Sequence, residues 1–88
     1  MTLQPRDLLA ACDAALQGDW HGAHGIVQQD ERDPMACWIH AVLHKIEGDA
    51  WNSRYWYSRT GHDYGEWDDP QQELQAIRTR LSGNEAGA

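Results

Sequence analysis

The residues of this chain that are best suited to chemistry lie on one face of its third amphipathic stretch. At 100° per residue, four ligating side chains share an arc of roughly 80°: Cys37, His40, His44 and Glu47. Histidines four residues apart on a helix can bind one metal ion, and a carboxylate or thiolate one turn away can complete three protein ligands. His24, on the preceding stretch, is placed to supply a fourth. The pattern predicts a site for zinc or another divalent transition metal ion.

The same histidines also have a structural interpretation. His40 and His44 fall where the third helix would pack on its neighbours, and buried imidazoles normally form hydrogen bonds with a tyrosine hydroxyl or a backbone carbonyl. A further interpretation is a non-metal ligand or a proton-linked switch, because histidine is the side chain that titrates near neutral pH. The residue types leave all of these interpretations open.

The sequence does not specify a reaction. Zinc proteases with an HExxH motif carry their general base directly after the first histidine, and Ala41 occupies that position here. Cys37 and His40 are spaced to form a thiolate and an imidazolium, which is how a nucleophilic cysteine is activated. A buried, inert thiol is the favoured interpretation of this cysteine. We therefore assign no catalytic residue.

Composition and charge exclude several classes of partner. The 88 residues carry a net charge of −7, whereas proteins that bind nucleic acid need clustered Lys and Arg to neutralise phosphates. The N-terminus lacks a charged segment followed by an apolar one, and no apolar run is long enough to span a bilayer. We expect a cytoplasmic protein that binds neither nucleic acid nor membrane, with Cys12 and Cys37 reduced.

The spacing of apolar residues predicts an all-α fold with five helices. Prolines at positions 5, 34 and 70 suit first helical turns, and glycines suit helix ends. The predicted helices span residues 5–17, 20–29, 34–47, 50–59 and 70–82. Residues 60–68 form a predicted loop in which Tyr64 and Trp67 are large enough to pack on the body. One domain, residues 1–82, closes at Gly83, and residues 83–88 form a predicted disordered tail.

Two segments of the chain repeat at a spacing of thirty residues. Residues 16–19, Leu-Gln-Gly-Asp, align with residues 46–49, Ile-Glu-Gly-Asp. In each segment the glycine can close one helix and the aspartate can cap the next. The same shift aligns small residues that would let antiparallel helices approach closely: Ala11 with Ala41, and Ala23 with Ser53.

This pattern resembles tetratricopeptide and Sel1-like repeats, in which a helix ends in Gly-Asp, a small residue follows, and aromatic residues come next. Here these are Gly48, Ser53 and the Tyr-Trp-Tyr of residues 55–57. The resemblance covers about residues 8–60, with a period of thirty rather than the usual 34 and with two units. It implies two antiparallel helix pairs of the tetratricopeptide type, with the fifth helix as a C-terminal cap.

Three short motifs also resemble a small bacterial family without an assigned activity. They are Trp-x-x-Ala-His at residues 20–24, Trp-Ile-His-Ala-Val-Leu-His at residues 38–44, and Glu-Gly-Asp followed by Tyr-Trp-Tyr at residues 47–57. This likeness implies a shared site but names no function.

Helical repeats of this kind bind other proteins through the surface of their first helices. Aromatic residues around the fourth helix are too many to face one core, so they are either buried on two sides or form an exposed surface for a protein or peptide partner. A homodimer would extend the short groove. The predicted contact residues are Trp38, Trp51, Tyr55, Trp56 and Arg59. The first predicted function is thus an interaction or assembly module, and the alternative is a metal-binding protein that uses His24, His40 and His44.

Overall fold

The computed structural model describes the backbone of residues 3–86 and the side chains of residues 3–83. Within this range the chain contains five α-helices and one short 3-10 helix, and no strand, so the all-α prediction is confirmed. No helix in residues 3–86 combines the length and the apolar composition needed to cross a membrane. The helices are α1 (Pro5–Leu16), α2 (Trp20–Val27), α3 (Pro34–Ile46), α4 (Ala50–Tyr57) and α5 (Pro70–Ala86), with the 3-10 helix Tyr64–Glu66 before α5.

The predicted helix ends differ from the observed ends by a few residues. The first four helices each stop one or two residues early, as α2 does at Val27. The end predicted at Gly83 is wrong, because α5 continues to Ala86. Among the described glycines, positive φ occurs at Gly18 and Gly48, so Gly83 does not adopt the left-handed conformation that closes a helix. The predicted tail therefore begins inside α5, and residues 87–88 lie outside the described range.

The two Gly-Asp turns have the same backbone geometry. Gly18 and Gly48 have φ of 87° and 84°, which is the left-handed conformation that glycine adopts without a steric penalty. The aspartate after each glycine caps the next helix: the side chain of Asp19 accepts a hydrogen bond from the Gly22 amide at 3.0 Å. Asp49 accepts the equivalent bond from the Asn52 amide at 3.1 Å. The thirty-residue spacing thus marks two equivalent turns.

Small residues lie where the consecutive helices meet, as predicted. Ala11, Ala23, Ala41 and Ser53 all have no exposed surface. The Ser53 hydroxyl also donates a hydrogen bond to the Ala41 carbonyl oxygen at 2.6 Å. A larger side chain at either position would push α4 away from α3, because a close-packed interior leaves no space for added atoms.

The third helix is the centre of the fold. It packs against α1, α2, α4 and α5, and every residue from Ala36 to His44 is buried. A helix that is buried on all sides must place its polar residues against polar groups from its neighbours. The opposite faces of α3 therefore carry two separate polar clusters, and the neighbouring helices complete them.

The fifth helix covers α1 and α3. Its predicted apolar stripe is confirmed, since Leu74, Ile77 and Leu81 are all buried. An ion pair between Arg78 Nε and Asp13 Oδ1, at 2.7 Å, joins α5 to α1 at the surface.

Candidate metal centre

Three of the predicted ligands converge between α2 and α3. We call His24, His40 and His44 the histidine cluster. One ring nitrogen from each of them lies within 4.8 Å of the others, and the Nε2 atoms of His24 and His40 are 3.1 Å apart. Two imidazole nitrogens bound to one tetrahedral zinc ion at 2.0–2.1 Å are separated by about 3.3 Å. The spacing of this pair is therefore close to that of two ligands of the same ion.

Two tryptophan rings fix the orientation of the imidazoles. Trp20 stacks on His24, with 4.5 Å between ring centroids and an interplanar angle of 19°. Trp56 stacks on His40 at 3.9 Å and 14°. The indole of Trp20 is itself anchored, because its Nε1 donates a hydrogen bond to the Leu43 carbonyl oxygen at 2.7 Å. These contacts come from α2, α3 and α4, so the packing of three helices sets the geometry of the cluster.

Glu47 lies beside the cluster and orients one of its rings. Its Oε2 is 2.6 Å from Nδ1 of His44, which is a short distance typical of a hydrogen bond to a carboxylate. With Nδ1 donating to Glu47, Nε2 is the nitrogen of His44 that remains for a ligand. The sequence predicted Glu47 as a metal ligand. In the structure its carboxylate instead contacts Nδ1 of His44, the ring nitrogen that is not available to the ion.

A second group of ligand atoms shares His44 with Glu47 and Asp49, again within 4.8 Å. The oxygens of Asp49 are already engaged by Asn52, with 3.1 Å to its amide nitrogen and 2.8 Å to its Nδ2. Asp49 therefore acts as the cap of α4, and the histidine cluster is the better ligand set.

Cys37 does not join the histidine cluster. Its Sγ donates a hydrogen bond to the Glu31 carbonyl oxygen at 3.1 Å, and burial raises the pKa of this thiol. A thiolate-imidazolium pair between Cys37 and His40 is disfavoured for both residues, because burial raises the pKa of the thiol and lowers the pKa of the imidazole. The structure thus supports the interpretation of Cys37 as an inert buried thiol.

Two imidazoles of the cluster have a lowered pKa. Burial, followed by the nearby His24 and His44 rings, lowers the pKa of His40 to about 3. Burial and the His44 ring also lower the pKa of His24. Neutral imidazole is the form that binds metal ions, because protonation would occupy the nitrogen lone pair. The environment of His24 and His40 therefore favours the form that a metal ion requires.

The opposite face of α3 contributes to a second buried cluster, which sequence analysis missed. Glu73 has no exposed surface. Its carboxylate accepts hydrogen bonds from Trp38 Nε1 at 2.8 Å, Tyr57 OH at 2.6 Å and Lys45 Nζ at 2.9 Å. Lys45 also donates to the Trp67 carbonyl oxygen at 3.1 Å. We call Glu73 and its three side-chain donors the glutamate cluster; it joins α3, α4 and α5.

The sequence does contain a signal for this second cluster. Glu73 is four residues before Ile77 and eight before Leu81, so it lies on the apolar stripe of its helix. Lys45 lies seven residues after Trp38, and these two share a face of α3 for the same reason. A lone acid and a lone base on the buried stripes of two helices predict an internal ion pair.

Two residues of the predicted interaction surface do not lie on the surface. Trp38 and Trp56 are buried, with 2% and 9% of their surface exposed, so their assignment to a contact surface is wrong. Trp38 is covered by the His62 ring, stacked at 3.6 Å, and by the Arg80 guanidinium at 5.2 Å. The Trp56 ring stacks on the His40 ring inside the protein.

Other aromatic residues of the predicted surface are exposed on α4. We call Trp51 and Tyr55, together with Arg54 and Arg59, the ridge on α4. Trp51 is 77% exposed and Tyr55 is 45% exposed, and their rings are parallel within 9° with centroids 6.5 Å apart. The Arg59 guanidinium lies over the Tyr55 and Trp56 rings at 5.5 Å and 5.4 Å. The Arg54 guanidinium lies over the Tyr64 ring at 4.8 Å.

No protein-family model, curated protein or solved structure matches this chain. The resemblance to tetratricopeptide and Sel1-like repeats thus stays a prediction. The function proposed below is inferred from the geometry of the chain alone.

Proposed function

We propose that this protein binds one divalent transition metal ion, with zinc the best fit, through His24, His40 and His44. The observation that carries this proposal is the convergence of three imidazoles, whose ligand atoms lie within 4.8 Å of one another. Without a cation, the Nε2 atoms of His24 and His40 share one hydrogen bond. A zinc ion would bind the same nitrogens at nearly the same spacing and would add His44 as a third ligand.

The surroundings of the cluster support a metal ion over a purely structural role. Metal-binding histidines commonly donate their second ring nitrogen to a carboxylate, which fixes the tautomer and makes the free nitrogen more basic. Glu47 occupies this position behind His44 at 2.6 Å. Stacked Trp20 and Trp56 hold the other two rings in place.

Zinc suits this donor set because it accepts imidazole ligands and has no geometric preference from its d electrons. Copper(II) and nickel(II) also bind imidazole but prefer square-planar or tetragonal arrangements. A hydrolytic role is not part of this proposal, since the carboxylates of Glu47 and Asp49 are engaged by His44 and Asn52.

The test is elemental analysis of the purified, untagged protein, followed by thermal melting with zinc and with a chelator. We expect one ion per chain and a lower melting temperature after chelation, because an ion that binds only the folded state stabilises it. His21→Gln is the matched control, since His21 is an exposed histidine on the same helix as His24. A protein without bound metal, whose melting is unchanged by added zinc, copper or nickel, would contradict the proposal.

A second candidate function is recognition of an acidic segment of a partner protein by the ridge on α4. The helix contains no acidic residue although the chain has a net charge of −7. A guanidinium that stacks on an aromatic ring keeps its edge N–H groups free for a carboxylate. Arg54 stacks on Tyr64 and Arg59 stacks on Tyr55. Arg59 Nη1 already donates a hydrogen bond to the Glu31 carbonyl oxygen at 3.1 Å, so Arg54 and the remaining N–H groups of Arg59 are the donors that the ridge offers to a carboxylate.

This second candidate is tested with two synthetic peptides that share one apolar sequence and carry either glutamates or lysines. We expect saturable binding of the glutamate peptide only, weakened by salt and by Arg54→Gln or Trp51→Ala. Equal binding of both peptides would contradict recognition of acidic segments. A concentration-dependent dimer that is lost in Trp51→Ala would instead assign the ridge to a second copy of the chain.

A further inference from the structure

The histidine cluster supplies three ligands, and its neighbours are committed elsewhere. Glu47 is bonded to the outer nitrogen of His44, and Asp49 is bonded to Asn52. The Cys37 thiol is bonded to the Glu31 carbonyl oxygen. Among the described side chains, therefore, no fourth protein donor reaches the ion without breaking an existing hydrogen bond.

The cluster is accessible from one side only. His40 and His44 are 2% and 8% exposed, whereas His24 and the Trp20 ring stacked on it are half-buried. His24 is thus the member of the cluster nearest to solvent, and a ligand from solution would reach the ion along the His24 edge. The Trp20 ring stacked on His24 covers one face of that imidazole.

A divalent ion in this cluster would be a local centre of positive charge. Imidazole binds a metal ion in its neutral form, so the three histidine ligands would not reduce the charge of the ion, while the Glu47 and Asp49 carboxylates lie beside His44. Positive charge that remains in a mostly buried site attracts small anions more strongly than it would in water.

We infer that the metal ion completes its coordination with a water molecule that a small monodentate anion from solution can displace, which makes the site an anion-binding metal centre. This inference rests on the proposed metal binding. Zinc with three protein ligands typically keeps its fourth position for a water molecule or a substrate. The structure supplies the reason here, since among the described residues no fourth His, Cys, Asp or Glu offers a ligand atom within 4.8 Å of all three histidines.

The experiment uses the full chain loaded with cobalt(II), whose visible absorption reports the ligands of the ion, and sodium azide as the probe. We expect a saturable shift of the visible bands with one azide per cobalt, and no shift with perchlorate at equal ionic strength. Equilibrium dialysis checks that cobalt stays bound during the titration.

Three results would overturn the inference. A visible spectrum that azide leaves unchanged while cobalt remains bound would mean that the chain saturates the ion, and metal binding itself would stand. A near-ultraviolet charge-transfer band that disappears in Cys37→Ser would identify the thiol as the fourth ligand. Failure to take up cobalt or zinc at all would refute both the proposed function and the inference.

Discussion

The two polar clusters on the opposite faces of α3 differ in how their charges and lone pairs are balanced. In the glutamate cluster one buried carboxylate meets three different donors, including the charged Nζ of Lys45 at 2.9 Å. In the histidine cluster three imidazole rings contact mainly each other, with one hydrogen bond of 3.1 Å between His24 and His40. The first cluster thus pairs opposite charges, whereas the second brings three metal-binding side chains together with one carboxylate, Glu47, beside His44.

This difference is the basis for proposing a structural role for one cluster and a binding role for the other. Buried polar groups that are fully paired hold helices in register, and removing one partner leaves the others unpaired. The histidine cluster has fewer such bonds, one between His24 and His40 and one from His44 to Glu47. The comparison predicts that disrupting the glutamate cluster will affect folding, and that disrupting the histidine cluster will affect metal binding first.

The largest effect is expected from Glu73→Ala. This change leaves the buried Lys45 ammonium without its counter-ion and removes the acceptor of Trp38 and Tyr57. Breaking a buried ion pair from one side typically costs about 3–5 kcal/mol, and urea denaturation should show a loss of that size. Glu31→Ala, an exposed position, is the control. A loss below about 1 kcal/mol in Glu73→Ala would remove the structural role assigned to this cluster.

Zinc should stabilise the native chain by about 2.7 kcal/mol when its free concentration is one hundred times the dissociation constant. The gain should vanish in His24→Gln, since His24 supplies one ligand and is only half-buried. Thermal melting at controlled free zinc measures both values. An equal gain in the native protein and in His24→Gln would show that zinc binds elsewhere.

Glu47→Ala should weaken zinc binding about 10- to 100-fold, because it removes the carboxylate that orients His44. Glu47→Gln should retain most of the affinity, since its amide oxygen can still accept the Nδ1 proton. Competition titration with a chelator gives the dissociation constants, and Glu31→Ala corrects for the loss of one negative charge. If both Glu47 variants bind zinc as the native chain does, Glu47 has no orienting role.

The metal-free protein should lose stability as the pH falls from about 6.5 to about 3. The pKa of His40 is lowered from 6.5 to about 3 in the folded state, so in this window the unfolded chain binds more protons and stability rises with pH. One such histidine contributes a slope of up to about 1.4 kcal/mol per pH unit. Denaturation of the metal-free protein across this range, compared with His40→Gln, isolates the contribution. An identical slope in both proteins would contradict it.

The smallest effect on stability is expected from Trp51→Ala. Its ring is 77% exposed, and exposed substitutions usually change stability by less than about 0.5 kcal/mol. Zinc affinity should also be unchanged, so this variant probes the ridge on α4 alone. A large destabilisation, measured by urea denaturation, would mean that the ridge supports the fold and is not a free surface.

The helices and the two turns could be predicted from the sequence because their signals are local. Proline at helix starts and the repeated Gly-Asp pair predict most helix boundaries. The predicted end of α5 at Gly83 was wrong because glycine can also continue a helix. The convergence of His24 with His40 and His44 was predictable from spacing on two helices that follow one another.

The roles of other residues depend on contacts between distant segments, which local patterns do not contain. Glu73 accepts a hydrogen bond from Trp38, thirty-five positions away in the chain, and the Trp38 ring is also contacted by His62 and Arg80 from later segments. The orienting role of Glu47 can be recognised only from the structure, in which its carboxylate lies 2.6 Å from Nδ1 of His44.

The most direct test of the central claim is an equilibrium zinc titration, in competition with a chromophoric chelator, of the native protein and of His40→Gln, His24→Gln and His21→Gln. Circular dichroism confirms which variants are folded, and His24→Gln serves if His40→Gln is not. We expect one zinc ion per chain in the native protein and in His21→Gln, and a large loss of affinity in the two cluster variants. Equal affinity in all folded variants, or no zinc uptake by the native protein, would contradict the account.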